Sequence, residues 1–186
     1  MNESLIVWTL LALTVFWCVG LYNRLMRMRA RGLDALGSVE KHLRQYTLMV
    51  RAYLEEPEVA PSAWHSLKDG DPAWGDWAPL VQALHGLELV LKDLHAAPFD
   101  TSTLSRIAIG FSELQVIWQS LCEQPADLAG PIVPDVLRFQ WDANTTKVES
   151  ARGGFNQIMY KYNEAIAQFP ARLVVGMMRF SPAGQL

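Results

Sequence analysis

Apolar residues fall along this chain in two regimes. Residues 5–22 form one uncharged run of eighteen, LIVWTLLALTVFWCVGLY. Beyond it, apolar positions recur at alternating steps of three and four. Leu36, Val39, Leu43, Tyr46, Val50 and Tyr53 make one such series, and Trp77, Leu80, Leu84, Leu87, Leu91 and Leu94 a second. Leu104, Ile107, Phe111, Leu114, Trp118 and Leu121 repeat the steps a third time. A fourth segment carries Trp141, Val148, Phe155, Tyr162 and Phe169 at seven-residue intervals, with Asn144, Ala151, Ile158 and Ala165 three residues after the first four. Seven residues are two helical turns, so each series is one stripe on a helix.

Helix breakers separate the four segments. Pro57, Pro61, Gly70, Pro72 and Gly75 fall in residues 56–75, Pro98 follows the second segment, and Pro125, Pro131 and Pro134 follow the third. Asp76 is placed to cap the second helix, and Asp100 or Thr101 the third. Pro134 suits a first turn, and Pro170 cannot continue a helix. Nothing from residue 23 to 56 is proline, so the apolar run and the first amphipathic helix can be continuous. Gly32 and Gly37 are its weak points, at about 1 kcal/mol each relative to Ala. The pattern predicts an all-α chain: an N-terminal transmembrane helix, then an antiparallel four-helix bundle with long helices 1 and 4 and shorter helices 2 and 3. The expected division is 1–22 anchor, 23–170 bundle and 171–186 apolar C-terminal tail near the membrane.

The anchor reading rests on length and flanks. Eighteen helical residues span about 27 Å, close to the hydrocarbon thickness of a bilayer. Asn2 and Glu3 stand where a secretory leader would be basic, and no small-residue cleavage site follows, so the run reads as permanent. Arg24, Arg27, Arg29 and Arg31 come immediately after it. That collar predicts a cytoplasmic C-terminal domain with the first residues outside, and a surface for lipid headgroups.

Charge elsewhere narrows the function classes. The chain has a net charge of −3, and its basic residues concentrate just after the apolar run. The acidic remainder argues against nucleic acid. Cys18 and Cys122 cannot build a disulfide framework and read as small reduced hydrophobes. Asp69, Asp71 and Asp76 lack the EF-hand pattern. His85, Glu88, Lys92 and His95 lie off the apolar stripe, as a solvated face would, and no nucleophile–base pair or phosphate-cradling glycine loop accompanies them. The expectation is a protein that is not an enzyme and holds no cofactor or metal. Trp64, Trp74 and Trp77 either cap an open end of the core or form a partner-binding loop.

Helix lengths locate the remaining motif. Residues 23–56 make about 50 Å of helix and 134–169 about 54 Å, whereas the two middle helices are about 30 Å each. The short pair should pack far from the membrane, leaving the long pair alone near it. Tyr22 and Asn23 would then approach Phe155, Asn156, Tyr162, Asn163, Phe169 and Pro170. Asn156 and Asn163 either fix helix register or turn their amides to a partner or headgroups. The tail, with Leu173, Val174, Val175, Met177, Met178, Phe180, Arg172 and Arg179, either lies in the interface or folds back onto the bundle.

These residues resemble a known family. Tyr22-Asn23-Arg24-Leu25 with Arg29 is similar to the opening motif of LemA family proteins just after their transmembrane helix. Ala151-Arg152, Phe155-Asn156, Tyr162-Asn163, Ile166 and Phe169-Pro170 resemble the C-terminal LemA signature, and Phe180 with Pro182 its F-x-P ending. The family's D-L-I-P-N-L-V element has no counterpart around residues 46–51, and the Trp-rich loop is not typical, as in a divergent member. The resemblance implies a single-pass bacterial inner-membrane protein with its N-terminus outside and a cytoplasmic helical bundle. It brings no established enzymatic activity. Family members are often encoded near membrane proteases, which implies a membrane-protein partner; the same surface is compatible with a homo-oligomer. The expectation is a membrane-anchored interaction or scaffold protein, the alternative a lipid-surface or envelope-stress sensor using the arginine collar.

Overall fold

The computed structural model describes residues 2–54, 75–124, 132–168, 171–177 and 180–186. Among them there are helices and no strands. The elements are α1 (Asn2–Leu54), α2 (Ala78–Leu94), α3 (Thr101–Cys122), α4 (Asp135–Ala167) and the short α5 (Ala171–Met177). Residues 180–186 follow as non-helical chain, referred to below as the strap.

α1 is one unbroken helix of 53 residues, about 80 Å long. Its two halves live in different surroundings. Leu5, Val7, Trp8, Leu13 and Phe16 are all exposed, and none of the apolar N-terminal window is buried by the rest of the chain. That half is long and apolar enough to cross a membrane. From Leu25 onward the stripe turns inward, with Leu36, Val39, Leu43, Tyr46, Val50 and Leu54 buried. Gly32 has a packing reason to be glycine. A Cβ there would collide with the end of the Met159 side chain and reach within 3.2 Å of Phe99 Cε1. Gly37 faces open space.

All five leucines of the second stripe are buried in α2, with Trp77 just before it, and all six stripe residues of the third are buried in α3. Asp100 caps α3, its Oδ2 accepting from the Thr103 amide at 2.9 Å and from the Ser102 hydroxyl. These bonds hold its carboxyl below the ordinary carboxylate value. Asp76 does not cap α2. The N-cap position is Trp77, which makes no side-chain cap bond, and Pro79 occupies the first turn instead.

α4 buries Leu137, Trp141, Asn144, Val148, Phe155, Met159, Tyr162, Ala165 and Ile166. The heptad positions Trp141, Asn144, Val148, Phe155, Tyr162 and Ala165 are buried, Ala151 and Ile158 are half-buried, and Met159 beside Ile158 is buried as well. Met159, four residues after Phe155, is more buried than Ile158, and Tyr162 and Ala165 then resume the stripe.

α1 packs along α4, and α2 along α3. Tyr53 lines a recess with Leu137, the Tyr46 and Trp141 rings are 4.3 Å apart, Gly32 sits against Met159, and Leu21 lines a recess with Ala165. The short helices cover one end of this pair. Trp118 stacks on Trp141 with ring centres 3.9 Å apart, Trp77 meets Tyr53 at 5.2 Å, and Phe99 meets α1 near Gly32. Toward Leu25 the partner of α4 is the strap.

Candidate functional site

The strap is held by an asparagine ladder on α4. Asn163 Nδ2 donates to the Ala183 carbonyl at 2.8 Å, while the Ala183 amide donates to Asn163 Oδ1 at 2.8 Å. Asn156 repeats the arrangement with Leu186: Nδ2 to the carbonyl at 2.6 Å, and the amide to Oδ1 at 2.8 Å. Each carboxamide thus offers one donor and one acceptor to a single residue's main chain, as a neighbouring strand would. Tyr162, between them in sequence, donates its hydroxyl to the Ser181 carbonyl at 3.1 Å. On the other flank the Gly184 amide donates to the Phe99 carbonyl at 3.1 Å.

Side chains follow a period of three along the strap. Ala183 and Leu186 are buried, Phe180 is half-buried, and Ser181, Pro182 and Gln185 are exposed. Phe180 lies 6.0 Å from the Tyr22 ring. Arg29 joins them, its guanidinium carbon 5.2 Å from the Phe99 ring centre and 5.9 Å from that of Phe180. Gly184 is pressed so close to α3 that a Cβ would stand 2.8 Å from the Thr101 Cα.

The structure therefore brings Tyr22, Phe155, Asn156, Tyr162 and Asn163 to one region, with Phe155 and Tyr162 in the core beneath and the asparagines half-buried above. Asn23, Arg24, Arg27 and Arg31 are exposed beside it, and Arg29 is half-buried. Phe169 and Pro170 lie outside the described residues, as do Trp64 and Trp74. Trp77 is buried against Tyr53 at the opposite end of the packed region.

A second polar cluster sits inside the part that α2 and α3 cover. Thr145 Oγ1 donates to the Trp141 carbonyl at 3.0 Å, which leaves it to accept from the Tyr46 hydroxyl 2.7 Å away. Gln115 Nε2 donates to the same hydroxyl at 3.2 Å, and its Oε1 accepts from Trp141 Nε1 at 3.2 Å. Asn144 Nδ2 donates to the His42 carbonyl at 2.9 Å. Burial raises the Tyr46 phenol above its ordinary value, against the lowering effect of these bonds. Asn144 stands out in sequence as a polar residue on an apolar stripe. Gln115 gave no such signal, because it neighbours a buried position without occupying one.

The histidine-bearing face of α2 does not converge on a site. His85 and Lys92 are exposed, and His95 Nε2 lies 3.7 Å from Glu40 Oε2, a carboxylate that already pairs with Arg44 at 2.8 Å. Among the described residues no group of three or more His, Cys, Asp or Glu side chains could hold a metal ion. Burial raises the Cys122 thiol above its ordinary value, opposite to what a reactive thiolate needs.

The arrangement can bind main chain, apolar surface and anionic groups. No protein-family model, no curated protein and no solved structure matches this chain.

Proposed function

We propose that this chain is a LemA-type membrane-anchored interaction protein without enzymatic activity. The observation that carries the reading is α1 itself. Its uncovered apolar half runs without interruption into a packed helical domain, and four arginines mark the junction. In this reading residues 5–22 span the bacterial inner membrane, the first residues lie outside, and the helical domain is cytoplasmic. The domain is an antiparallel four-helix bundle with α1 and α4 as its long pair. The pairing of Tyr53 with Leu137, Tyr46 with Trp141 and Gly32 with Met159 supports that direction. The partner is another membrane protein, a membrane protease being one candidate, met at the end where Tyr22, Asn23 and the strap lie together.

Photo-cross-linkers at Asn23 and Arg27, both exposed, test this in intact membranes. The expected result is capture of one discrete integral-membrane protein from both positions. Recovery of cross-links to lipid alone would sink the reading.

A second reading has its own support, since Arg24, Arg27 and Arg31 are exposed. In it the collar senses anionic lipid at the surface. Replacing the three with glutamine should then change the response of the Phe180 environment to anionic-lipid content in reconstituted bilayers. An identical response in both proteins counts against it.

A further inference from the structure

The asparagine ladder and the strap match in pitch. Asn156 and Asn163 are seven residues apart, a helical rise of about 10.5 Å. The residues they bind, 183 and 186, are three apart, and three extended residues reach about 10 Å. A heptad of polar side chains on a helix therefore reads every third residue of an extended chain. What it reads is main chain: all four ladder bonds go to amides and carbonyls. Any extended segment presents those groups.

Selection comes from what surrounds the ladder. A Cβ at position 184 would come 2.8 Å from Thr101 Cα, 3.0 Å from Leu104 Cδ1 and 3.2 Å from Thr101 Oγ1, so that place accepts glycine. The buried places on either side hold Ala183 and Leu186, and the place three before Ala183 holds an aromatic ring between Tyr22 and Arg29. The remaining places face solvent and impose nothing. The groove is built from α4, α3 and the turn before α3, where the Phe99 carbonyl takes the Gly184 amide. If the strap leaves, two half-buried carboxamides lose their partners, a cost that another extended chain would remove. Main-chain bonds for affinity and alternate pockets for specificity are how exposed sheet edges capture peptides. Here a helix supplies the edge.

We propose that the Asn156–Asn163 face of α4 is a binding site for an extended segment of a partner protein, carrying an aromatic residue, a small residue three places later, glycine next and an apolar residue two places beyond, with residues 180–186 as its resident occupant. This rests on the interaction-protein reading for the partner being a protein. The site names the chemistry by which that partner is recognised.

The test uses the full chain in detergent micelles and a fluorescent peptide, Phe-Ser-Pro-Ala-Gly-Gln-Leu, that copies the strap. Gly184→Val should expel the resident segment and bind the peptide at least about tenfold tighter than the unaltered chain does. Adding Asn156→Ala and Asn163→Ala should abolish that gain. A peptide carrying valine at its own glycine should not bind. Absence of saturable binding to the Gly184→Val chain, or binding indifferent to the asparagines, overturns the proposal. Should Gly184→Val lose its helical circular dichroism, the unaltered chain with excess peptide decides: the amides of residues 183 and 186 must exchange faster on peptide addition, and unchanged protection overturns it. Dimers of the unaltered chain that the peptide dissolves would assign the site to a second copy, against the partner proposed. Peptide binding without capture of any membrane protein at Asn23 or Arg27 removes the anchored-partner reading and leaves the groove; capture without peptide binding does the reverse.

Discussion

The two ends of the packed domain solve the same problem differently. Toward Leu54, α1 and α4 are covered by two further helices, and the joint is made of rings: Trp118 flat on Trp141, Tyr46 against Trp141, Tyr53 against Trp77. Toward Leu25 the same two helices are covered by the short α5 and by seven residues of non-helical chain, the latter joined by side-chain amides to main chain. The first joint excludes water with large apolar area and bonds Tyr46, Gln115, Thr145 and Trp141 to one another. The second buries the side chains of Ala183 and Leu186 with part of the Phe180 ring, and depends on hydrogen bonds whose net worth is small. A helix-covered end should therefore be the more stable, and a strap-covered end the more exchangeable.

The strongest way to break that contrast is at Trp141. It is buried, stacked on Trp118 and bonded to Gln115, so Trp141→Ala should cost about 3–5 kcal/mol, measured by denaturant unfolding of the chain in detergent. A loss no larger than that of the ladder variants would mean the two ends are equally strong. Asn156→Ala with Asn163→Ala should cost about 1–2 kcal/mol for each asparagine. Hydrogen exchange should speed at residues 180–186 and stay slow around Tyr46; a uniform rise would show that the strap supports the whole domain.

Tyr46→Phe sharpens the other side. It leaves Gln115 and Thr145 without their hydroxyl partner and should cost about 1–2 kcal/mol by the same unfolding measurement. Because the folded phenol is raised above its ordinary 10.0, its contribution is complete below that pH and is lost as pH climbs through the folded value. The Phe variant should lack this part of the alkaline destabilisation. The smallest effect is Gly37→Ala, with nothing within 4 Å of the added carbon. It should stabilise by about 0.5–1 kcal/mol, visible as a raised melting temperature, whereas no gain would point to bending of α1 there.

What the sequence discloses follows the same division. The three-and-four steps of α2 and α3 name their buried residues because helix-on-helix packing is written in apolar side chains. Met159 escapes that reading because it lies beside the stripe, which continues through Tyr162 and Ala165. The asparagine pair was visible as a stripe, and helix lengths placed it at the less covered end. Its partner was not visible. Asn163 and Asn156 bind residues 20 and 30 positions away through groups every residue possesses, so no side-chain code announces them. Gly184 is the strap position where the contact leaves no room for a Cβ.

The unbroken course of α1 has a mechanical consequence. A helix that passes from its bare apolar half into the core without a joint behaves as a lever. In a bilayer, a tilt of about 20° is ordinary for a spanning helix and would carry the Leu54 end about 15 Å sideways relative to Leu25. If residues 5–22 span a bilayer, whatever alters its thickness around them would swing the whole domain through that arc. The strap, which grips the lever near its fulcrum through Phe180 and Tyr22, would feel the angle and almost none of the displacement.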